Sequence, residues 1–171
     1  MEFEEVLNQR QAVRAFLDKP VPDQAVKKIL ELANLAPSAG NLQARRAILV
    51  KDQKMKNQLA QAANNQDFIS QAPVVLVVCA VPEESAIKYG DRGRKLYAFQ
   101  DATIFTAYLQ LAAVKAGLAT CWVGAFNDEQ VGKILSLPEN LKPVAILPLG
   151  FAGDEPPKKL RKDLSEIVIF R

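Results

Sequence analysis

The sequence predicts an α/β or α+β fold in which helices flank a central mixed sheet. Two nearly unbroken apolar runs, residues 74–80 and residues 144–150, are typical of strands buried on both faces. A third apolar stretch, from about Tyr97 to Gly117, is too long for a strand and predicts a buried helix that ends at the glycine. Because the chain shows no internal repeat and no low-complexity linker, we expect residues 1–171 to form a single domain.

The chain before the first buried strand predicts two helices and a strand. Residues 2–9 predict a short helix, and the more extended residues 11–16 follow it. A second helix begins at residues 22–23 and is stopped by Pro37, because the proline ring removes a backbone donor and biases the preceding residue away from the helical region. Residues 46–51 then predict a strand.

The remaining segments predict further helices and one short strand. Residues 54–63 predict a helix, whereas the charged residues 89–96 predict a loop. Residues 120–126 predict a short strand or a turn, and the following helix, residues 127–135, starts at an asparagine or aspartate cap. The final segment, residues 151–171, contains a basic cluster and a last apolar run.

The composition excludes several classes of function. The net charge is only +3, from 22 basic and 19 acidic residues, so nothing indicates a protein that binds nucleic acid. The chain has no histidine, which removes the commonest general base, the Ser-His and Cys-His pairs and most catalytic zinc sites, so no metal site is predicted. Cys79 and Cys121 form no CxxC motif and are interpreted as buried, reduced thiols.

The same sequence predicts a cytoplasmic location. No signal peptide opens the chain, and no run reaches the roughly 18 apolar residues of a membrane span. Two free cysteines agree with a reducing compartment.

A polar loop over residues 36–43 is the first candidate site. After Pro37, Ser38, Asn41 and Gln43 place three polar groups within six residues, and a glycine between them allows close approach to the backbone. Amide side chains both donate and accept, which suits the lactam and imide edges of a heterocycle better than a metal or a bare phosphate. On local sequence alone, an ordinary polar turn explains the segment equally well.

Two basic pairs are the second candidate. In an extended segment Arg10 and Arg14 share one face, and Lys159 and Arg161 do the same in the tail. Each pair by itself is typical of a solvated surface. If the folded protein brings both together, they would form a phosphate clamp.

Known phosphate-binding motifs are absent. No glycine-rich segment continues into a Walker motif, and no GxGxxG follows the first strand, so a Rossmann dinucleotide domain is unsupported. Gly124, which follows Trp122 and Val123, could let backbone donors approach a planar ligand; the alternative is a tight turn before the next helix.

Five segments, in order along the chain, resemble the nitroreductase family of FMN-dependent oxidoreductases. Residues 10–16 are similar to its Arg-Arg-Ser-Val-Arg-x-Phe motif, and residues 36–43 to its Ala-Pro-Ser-x-x-Asn-x-Gln loop. Residues 117–126 resemble its Gly-Leu-Gly-Thr-Cys-Trp-Ile-Gly segment, while residues 143–150 and 159–161 match its late strand and basic tail. No single motif is decisive, but five in register are a specific signal.

The resemblance implies a nitroreductase-like fold and an intertwined homodimer with two FMN sites at the subunit interface. The two basic pairs would hold the phosphate and ribityl end, and the polar loop would come from the partner subunit. Backbone groups near Val123 and Gly124 would face N5 and O4 of the flavin. The cofactor-binding residues implied in this way are Arg10, Gln11, Ala12, Arg14, Pro37, Ser38, Asn41, Gln43, Val123, Gly124, Lys159 and Arg161.

The implied activity is transfer of electrons from NAD(P)H through FMN to a nitro compound, a quinone or a similar small-molecule acceptor, in a ping-pong cycle. The flavin carries the chemistry, so no side chain is assigned as catalytic. Alternatives are other flavin chemistry on the same fold (reductive dehalogenation or oxidative flavin breakdown), a flavin-binding protein without activity, and a subunit without flavin.

The chain departs from the family pattern in three places. Ala12 replaces a serine, which removes a hydrogen bond to phosphate worth roughly 0.5–1.5 kcal/mol and predicts weaker FMN binding. Ala44-Arg45 replaces the usual proline and tryptophan, so either the acceptor pocket or the packing beside the loop is atypical. The helical insertion that often covers the flavin is reduced, with residues 89–96 as its expected remnant.

Overall fold

In the computed structural model, which describes residues 1–171, helices cover both faces of a four-stranded sheet. The helices are α1 (Phe3–Gln9), α2 (Asp23–Ala33), α3 (Gln53–Ala62), α4 (Phe68–Gln71), α5 (Pro82–Arg92), α6 (Ala98–Lys115) and α7 (Asp128–Ile134). The strands are β1 (Arg45–Val50), β2 (Val74–Ala80), β3 (Ala119–Thr120) and β4 (Lys142–Gly150). Short single turns lie at Ala39–Asn41 and Leu164–Glu166.

The sheet has the strand order β1-β2-β4-β3, and all three neighbouring pairs are antiparallel. The helices around a central sheet confirm an α+β fold, but the strand pairing differs from the mixed sheet expected. The one parallel pairing is a single bridge between Ala12 and Thr120 at the edge of the sheet. An apolar run indicates that a strand is buried and does not indicate its direction, which depends on how the connecting segments cross the sheet.

The side chains of β2 divide the interior into two cores. Val74, Leu76 and Val78 pack against α2 and α6 on one face. Val75 and Val77 pack against α3, α4 and α7 on the other. Successive strand residues point to opposite faces, so an unbroken apolar run is what a sheet covered on both sides requires.

The predicted long helix is confirmed as α6. It ends at Lys115, and Gly117 follows in the left-handed region with φ of 73°, where glycine is strain-free. The cap of α7 is also confirmed, because the Asn127 side chain accepts a hydrogen bond from the Gln130 N–H at 2.9 Å. The second helix ends at Ala33, four residues before Pro37.

The prediction of a loop over residues 89–96 is wrong. This segment completes α5 and continues through a π-helical turn, Gly93–Tyr97, into α6. Its charges are paired: Arg94 contacts Glu83 at 2.8 Å and Asp91 at 2.9 Å. Ion pairs between residues on the exposed side of a helix stabilise it without apolar residues. A high density of charge therefore indicates exposure to solvent but does not distinguish a loop from a helix.

Replacing Gly93 with alanine is expected to destabilise the protein by about 1–3 kcal/mol, the usual cost of overpacking. A Cβ at this position would lie 2.7 Å from the carbonyl carbon of Ser85 and would also clash with its oxygen. The free energy of unfolding in urea measures the effect. Gly132→Ala in α7 is the control, since a Cβ there meets nothing within 4 Å; equal stability of the two variants would contradict the expectation.

Candidate functional site

The segment around Arg10 and Arg14 lies along the edge of the sheet. Ala12 forms the parallel bridge with Thr120, and the Val13 N–H donates to the Thr120 carbonyl at 3.1 Å. This pairing holds the segment extended, as predicted, and places it beside Cys121 and the residues that follow it.

Arg10 and Arg14 share one face of this extended segment, because alternate residues of a strand point the same way. Burial raises the pKa of the Cys121 thiol, and the positive charges of Arg14 and Arg10 partly offset that rise. Neither arginine forms a salt bridge or a side-chain hydrogen bond within the chain. The structure therefore brings together two positive charges that lack a counter-charge.

Gln11 points away from that face. Alternation in an extended segment puts Gln11 and Val13 opposite Arg10 and Arg14. Both line a separate cavity of about 650 Å³ together with Ala119 and Lys158. The Gln11 Oε1 is buried there without a hydrogen-bond partner. The contact of Gln11 with a cofactor stays a prediction. Since the Gln11 side chain lines the other cavity, its backbone would have to make that contact.

The segment Val123–Ala125 continues the same edge. Val123 and Ile146 exchange two backbone hydrogen bonds of 3.0 Å each. Gly124 is exposed, and the N–H groups of Gly124 and Ala125 have no acceptor within the chain. Two free backbone donors therefore follow Val123 on this edge of the sheet.

A turn at Asn64 and Asn65 adjoins this segment, and sequence reasoning missed it. The Asn64 side chain donates to the Ala125 carbonyl at 3.4 Å, as does that of Gln66. Both asparagines have φ of 58°, a left-handed conformation that asparagine tolerates better than most residues. Consecutive asparagines were the available signal for a tight turn.

The polar loop is compact. The Ser38 Oγ accepts from the Gln43 N–H at 3.0 Å, and the Gln43 side chain donates to the Asn41 carbonyl at 3.3 Å. Gly40, Asn41 and Gln43 all have positive φ, between 53° and 58°. Pro37 and Ser38 also line a cavity of about 470 Å³ beside α6. The Asn41 and Gln43 side chains are exposed at the tip.

Arg45, the residue that departs from the family pattern, is buried under this loop. Only 5% of it is exposed, and its Nη2 donates to the carbonyls of Asn34 at 3.2 Å and Ala36 at 3.1 Å. Its guanidinium lies over the Phe105 ring at 4.9 Å. The sequence left open whether the acceptor pocket or the packing beside the loop is atypical. Arg45 takes part in the packing beside the loop.

The polar loop and the arginine segment lie apart within one chain. Asp101, in the first turn of α6, accepts hydrogen bonds from the loop. Thr120, which pairs with the arginine segment, contacts Gln110, further along the same helix. At 1.5 Å per residue, these two helix positions are roughly 14 Å apart. The chain by itself does not bring Ser38, Asn41 and Gln43 to Arg10 and Arg14.

The basic tail stays exposed. Lys159 and Arg161 form no salt bridge, and Leu160 between them is 99% exposed. Lys158 lines the cavity that Gln11 also lines, so the tail starts near the arginine segment. The structure does not join the two basic pairs into one clamp within the chain.

Cys79 and Cys121 are expected not to react with a disulfide reagent such as DTNB in the native protein near pH 8. Both thiols are free and buried, and burial raises the pKa of Cys79 to about 12. Because the thiolate is the nucleophile, a thiol that is still protonated at the assay pH of about 8 does not react. Absorbance of the released thiolate measures the reaction, and denatured protein, with two reactive thiols, is the control. Rapid labelling before unfolding would contradict this expectation.

Two further properties of the chain bear on its class. No group of three or more histidine, cysteine, aspartate or glutamate residues is placed to hold a metal ion. None of the helices combines the length and the apolar character needed to cross a membrane.

Comparison with known proteins agrees with this geometry. The sequence model of the nitroreductase family matches residues 7–66 and 61–151. An NADH dehydrogenase of Thermus thermophilus is 31% identical over 189 aligned positions, which cover 95% of this chain and 92% of the relative. An FMN reductase [NAD(P)H] of Bacillus subtilis is 30% identical over 168 residues, covering 91% of this chain and 68% of the relative.

A solved structure supports the same assignment. The crystal structure of a nitroreductase family protein from Clostridium novyi superimposes with a TM-score of 0.83 at 32% identity, covering 93% of this chain and 89% of that one. The family match spans all segments on which the resemblance was based except the basic tail. The chain belongs to the nitroreductase family.

Proposed function

We propose that this protein is an FMN-dependent oxidoreductase that passes electrons from NAD(P)H to a nitro compound, a quinone or a similar acceptor. One observation carries the proposal: Arg10 and Arg14, which lack a counter-charge, lie on a segment that pairs with Thr120, on the edge of the sheet that continues to the unpaired N–H groups of Gly124 and Ala125, in a chain of the nitroreductase family. The relative named FMN reductase supports the choice of cofactor and electron donor.

The charges at this edge fit a phosphate monoester. Arg46 and Arg94, elsewhere on the surface, are each paired with carboxylates. Arg10 and Arg14 are not, so a bound dianion would supply the counter-charges that the fold omits. Guanidiniums match phosphate oxygens in a bidentate manner, which favours phosphate over a bare halide.

The neighbouring backbone fits the polar edge of a flavin ring. Gly124 has no side chain to block a planar group, and two free N–H donors lie in sequence there. The turn with Asn64 adds amide groups next to them. Donors of this kind would hold a ring carbonyl and stabilise negative charge as it develops there.

We further propose that the site is completed by a second copy of the chain. The polar loop contacts α6 at Asp101, roughly 14 Å along the helix from Gln110, which contacts the residue that pairs with the arginine segment, so the loop would serve the partner's site. The tail supports this arrangement: Leu160, Ile169 and Phe170 are all more than 75% exposed, which is typical of apolar residues that a partner covers. Lys159 and Arg161 would then reach a clamp that the single chain leaves incomplete.

FMN, when bound, takes hydride from NAD(P)H and passes electrons to the acceptor. The residues of this chain would bind and orient it: Arg10 and Arg14 at the phosphate, Gly124 and Ala125 at the ring. A chain without histidine offers no imidazole for proton transfer, which agrees with an activity carried by the cofactor. A cytoplasmic location also stays a proposal, and two free cysteines support it.

The visible spectrum of FMN-reconstituted protein under anaerobic conditions tests the function. We expect NADH or NADPH to bleach the flavin absorbance, and a quinone or nitroaromatic compound to restore it. Protein that stays colourless after reconstitution would contradict FMN binding. Protein that stays yellow with both nucleotides would instead be a flavin-binding protein without this activity.

A further inference from the structure

We infer that Asp101 and Arg45 act together as positioning residues that set the conformation of the polar loop and thereby the affinity of the flavin site. The inference rests on the proposed function, in which this loop contacts FMN bound by a second copy of the chain. Neither residue touches the cofactor in this arrangement. Both act on the backbone on either side of Asn41 and Gln43.

Asp101 ties together the two ends of the loop. It is 1% exposed and is the only acidic residue of α6. Its Oδ1 accepts from the Ala39 N–H at 2.9 Å, and its Oδ2 accepts from the Ala44 N–H at 3.3 Å. One carboxylate therefore bridges two backbone donors that lie on either side of the exposed tip. A carboxylate this buried requires such partners, because an unpaired buried charge is strongly unfavourable.

Arg45 holds the chain that enters the loop. Its Nη2 donates to the carbonyls of Asn34 and Ala36, the residues that join α2 to the loop. Burial lowers the pKa of the guanidinium, and the negative charge of Asp101 acts in the opposite direction. The Asp101 carboxylate therefore accepts hydrogen bonds from N–H groups of the loop, and the Arg45 guanidinium donates to carbonyl groups that precede the loop.

The conformation held in this way is one that the tip would not keep by itself. Asn41 and Gln43 both have positive φ, which is uncommon for residues other than glycine. Backbone of this kind persists only where the surroundings over-determine it. Gly40 packs closely against α5, since a Cβ there would lie 2.5 Å from the Tyr89 hydroxyl and 3.0 Å from the Lys88 Nζ. The hydrogen bonds of Asp101 and Arg45 and the contact of Gly40 with Tyr89 thus support the backbone conformation that presents the exposed amides of the tip.

Asp101→Asn tests this role, because it keeps the size of the side chain and removes one of the two acceptors. The Asn Nδ2 would face a backbone N–H, so Ala39 or Ala44 would lose its partner. In cofactor-free protein, we expect hydrogen exchange of at least one of these two amides to accelerate tenfold or more. We also expect the Kd for FMN, measured by flavin fluorescence, to rise at least tenfold.

Thr106→Val is the matched control. Thr106 is buried in the same helix, and its hydroxyl donates to the Ala102 carbonyl at 2.8 Å without touching the loop. This variant is expected to lose stability while leaving the exchange of Ala39 and Ala44 unchanged. If both variants weaken FMN binding equally at equal loss of stability, Asp101 has only a general structural role and the inference is overturned.

Arg45→Lys provides a second test should the Asp101 variant fail to fold. It retains a positive charge near Asp101 but replaces the planar group with a single ammonium. We expect faster exchange at the loop and at least threefold weaker FMN binding. Wild-type protein that binds no FMN would overturn the proposed function together with this inference. Wild-type protein that binds FMN, with unchanged Kd in both variants, would overturn the inference alone.

Discussion

Replacing Arg10 or Arg161 with alanine is expected to weaken FMN binding by at least about 1.5 kcal/mol, or about tenfold in Kd. Each change removes one guanidinium from the proposed phosphate clamp, and a charge-assisted hydrogen bond to phosphate contributes energy on that scale. Quenching of flavin fluorescence during titration measures the affinity. The family resemblance implies that Ala12 stands where a serine hydroxyl would contact the phosphate, so we expect the starting affinity itself to be modest.

Arg94→Ala is the control for both variants. It removes the same charge from a surface arginine that is paired with Glu83 and Asp91. Equal effects at all three positions would indicate a dependence on net charge only. Unchanged affinity in both clamp variants would exclude the clamp, and a loss confined to Arg10→Ala would remove the tail from it.

Deleting residues 163–171 is expected to convert the proposed homodimer into a monomer of about 18 kDa and to weaken FMN binding by about a hundredfold. The deletion keeps Lys159 and Arg161 but removes Ile167, Ile169 and Phe170, which are exposed in the single chain. Two or three hydrogen bonds from the partner's loop, at roughly 1 kcal/mol each, account for an effect of that order. Sedimentation velocity and flavin titration measure the two results.

Ile87→Ser is the matched control for this deletion. Ile87 is as exposed as the apolar residues of the tail but lies on α5. It should leave both mass and affinity unchanged if the tail is specific. A truncated protein that remains dimeric and binds FMN normally would show that the tail does not complete the site.

Local burial patterns made the main elements predictable. The run at residues 74–80 matches β2 residue for residue, and the apolar stretch after Tyr97 matches α6 within two residues at either end. An element that is buried on all sides is apolar at nearly every position, so a short stretch of sequence is enough to predict it. Residues 89–96 lacked such a signal, because their helix is stabilised by ion pairs such as Arg94 with Glu83.

Residue chemistry located the segments of the candidate site but not their arrangement. From sequence, Arg10, Ser38 and Gly124 were candidate parts of one flavin site, and the family resemblance implied that Ser38 comes from the partner subunit. Only the tertiary structure showed that the arginine segment pairs with Thr120, and that Thr120 and the polar loop contact α6 at positions roughly 14 Å apart.

The sequence by itself determined the fold class, the family and the residue types able to bind a flavin. The tertiary structure decided which of these residues share a face. It also showed that Arg45 binds the backbone before the polar loop and that Asp101 binds both ends of that loop. The physical reason is that side-chain chemistry is local, whereas distance and burial depend on packing between elements far apart in the chain. Asp101 shows this directly: one acidic residue in an apolar helix has no evident role until Ala39 and Ala44 are found above it.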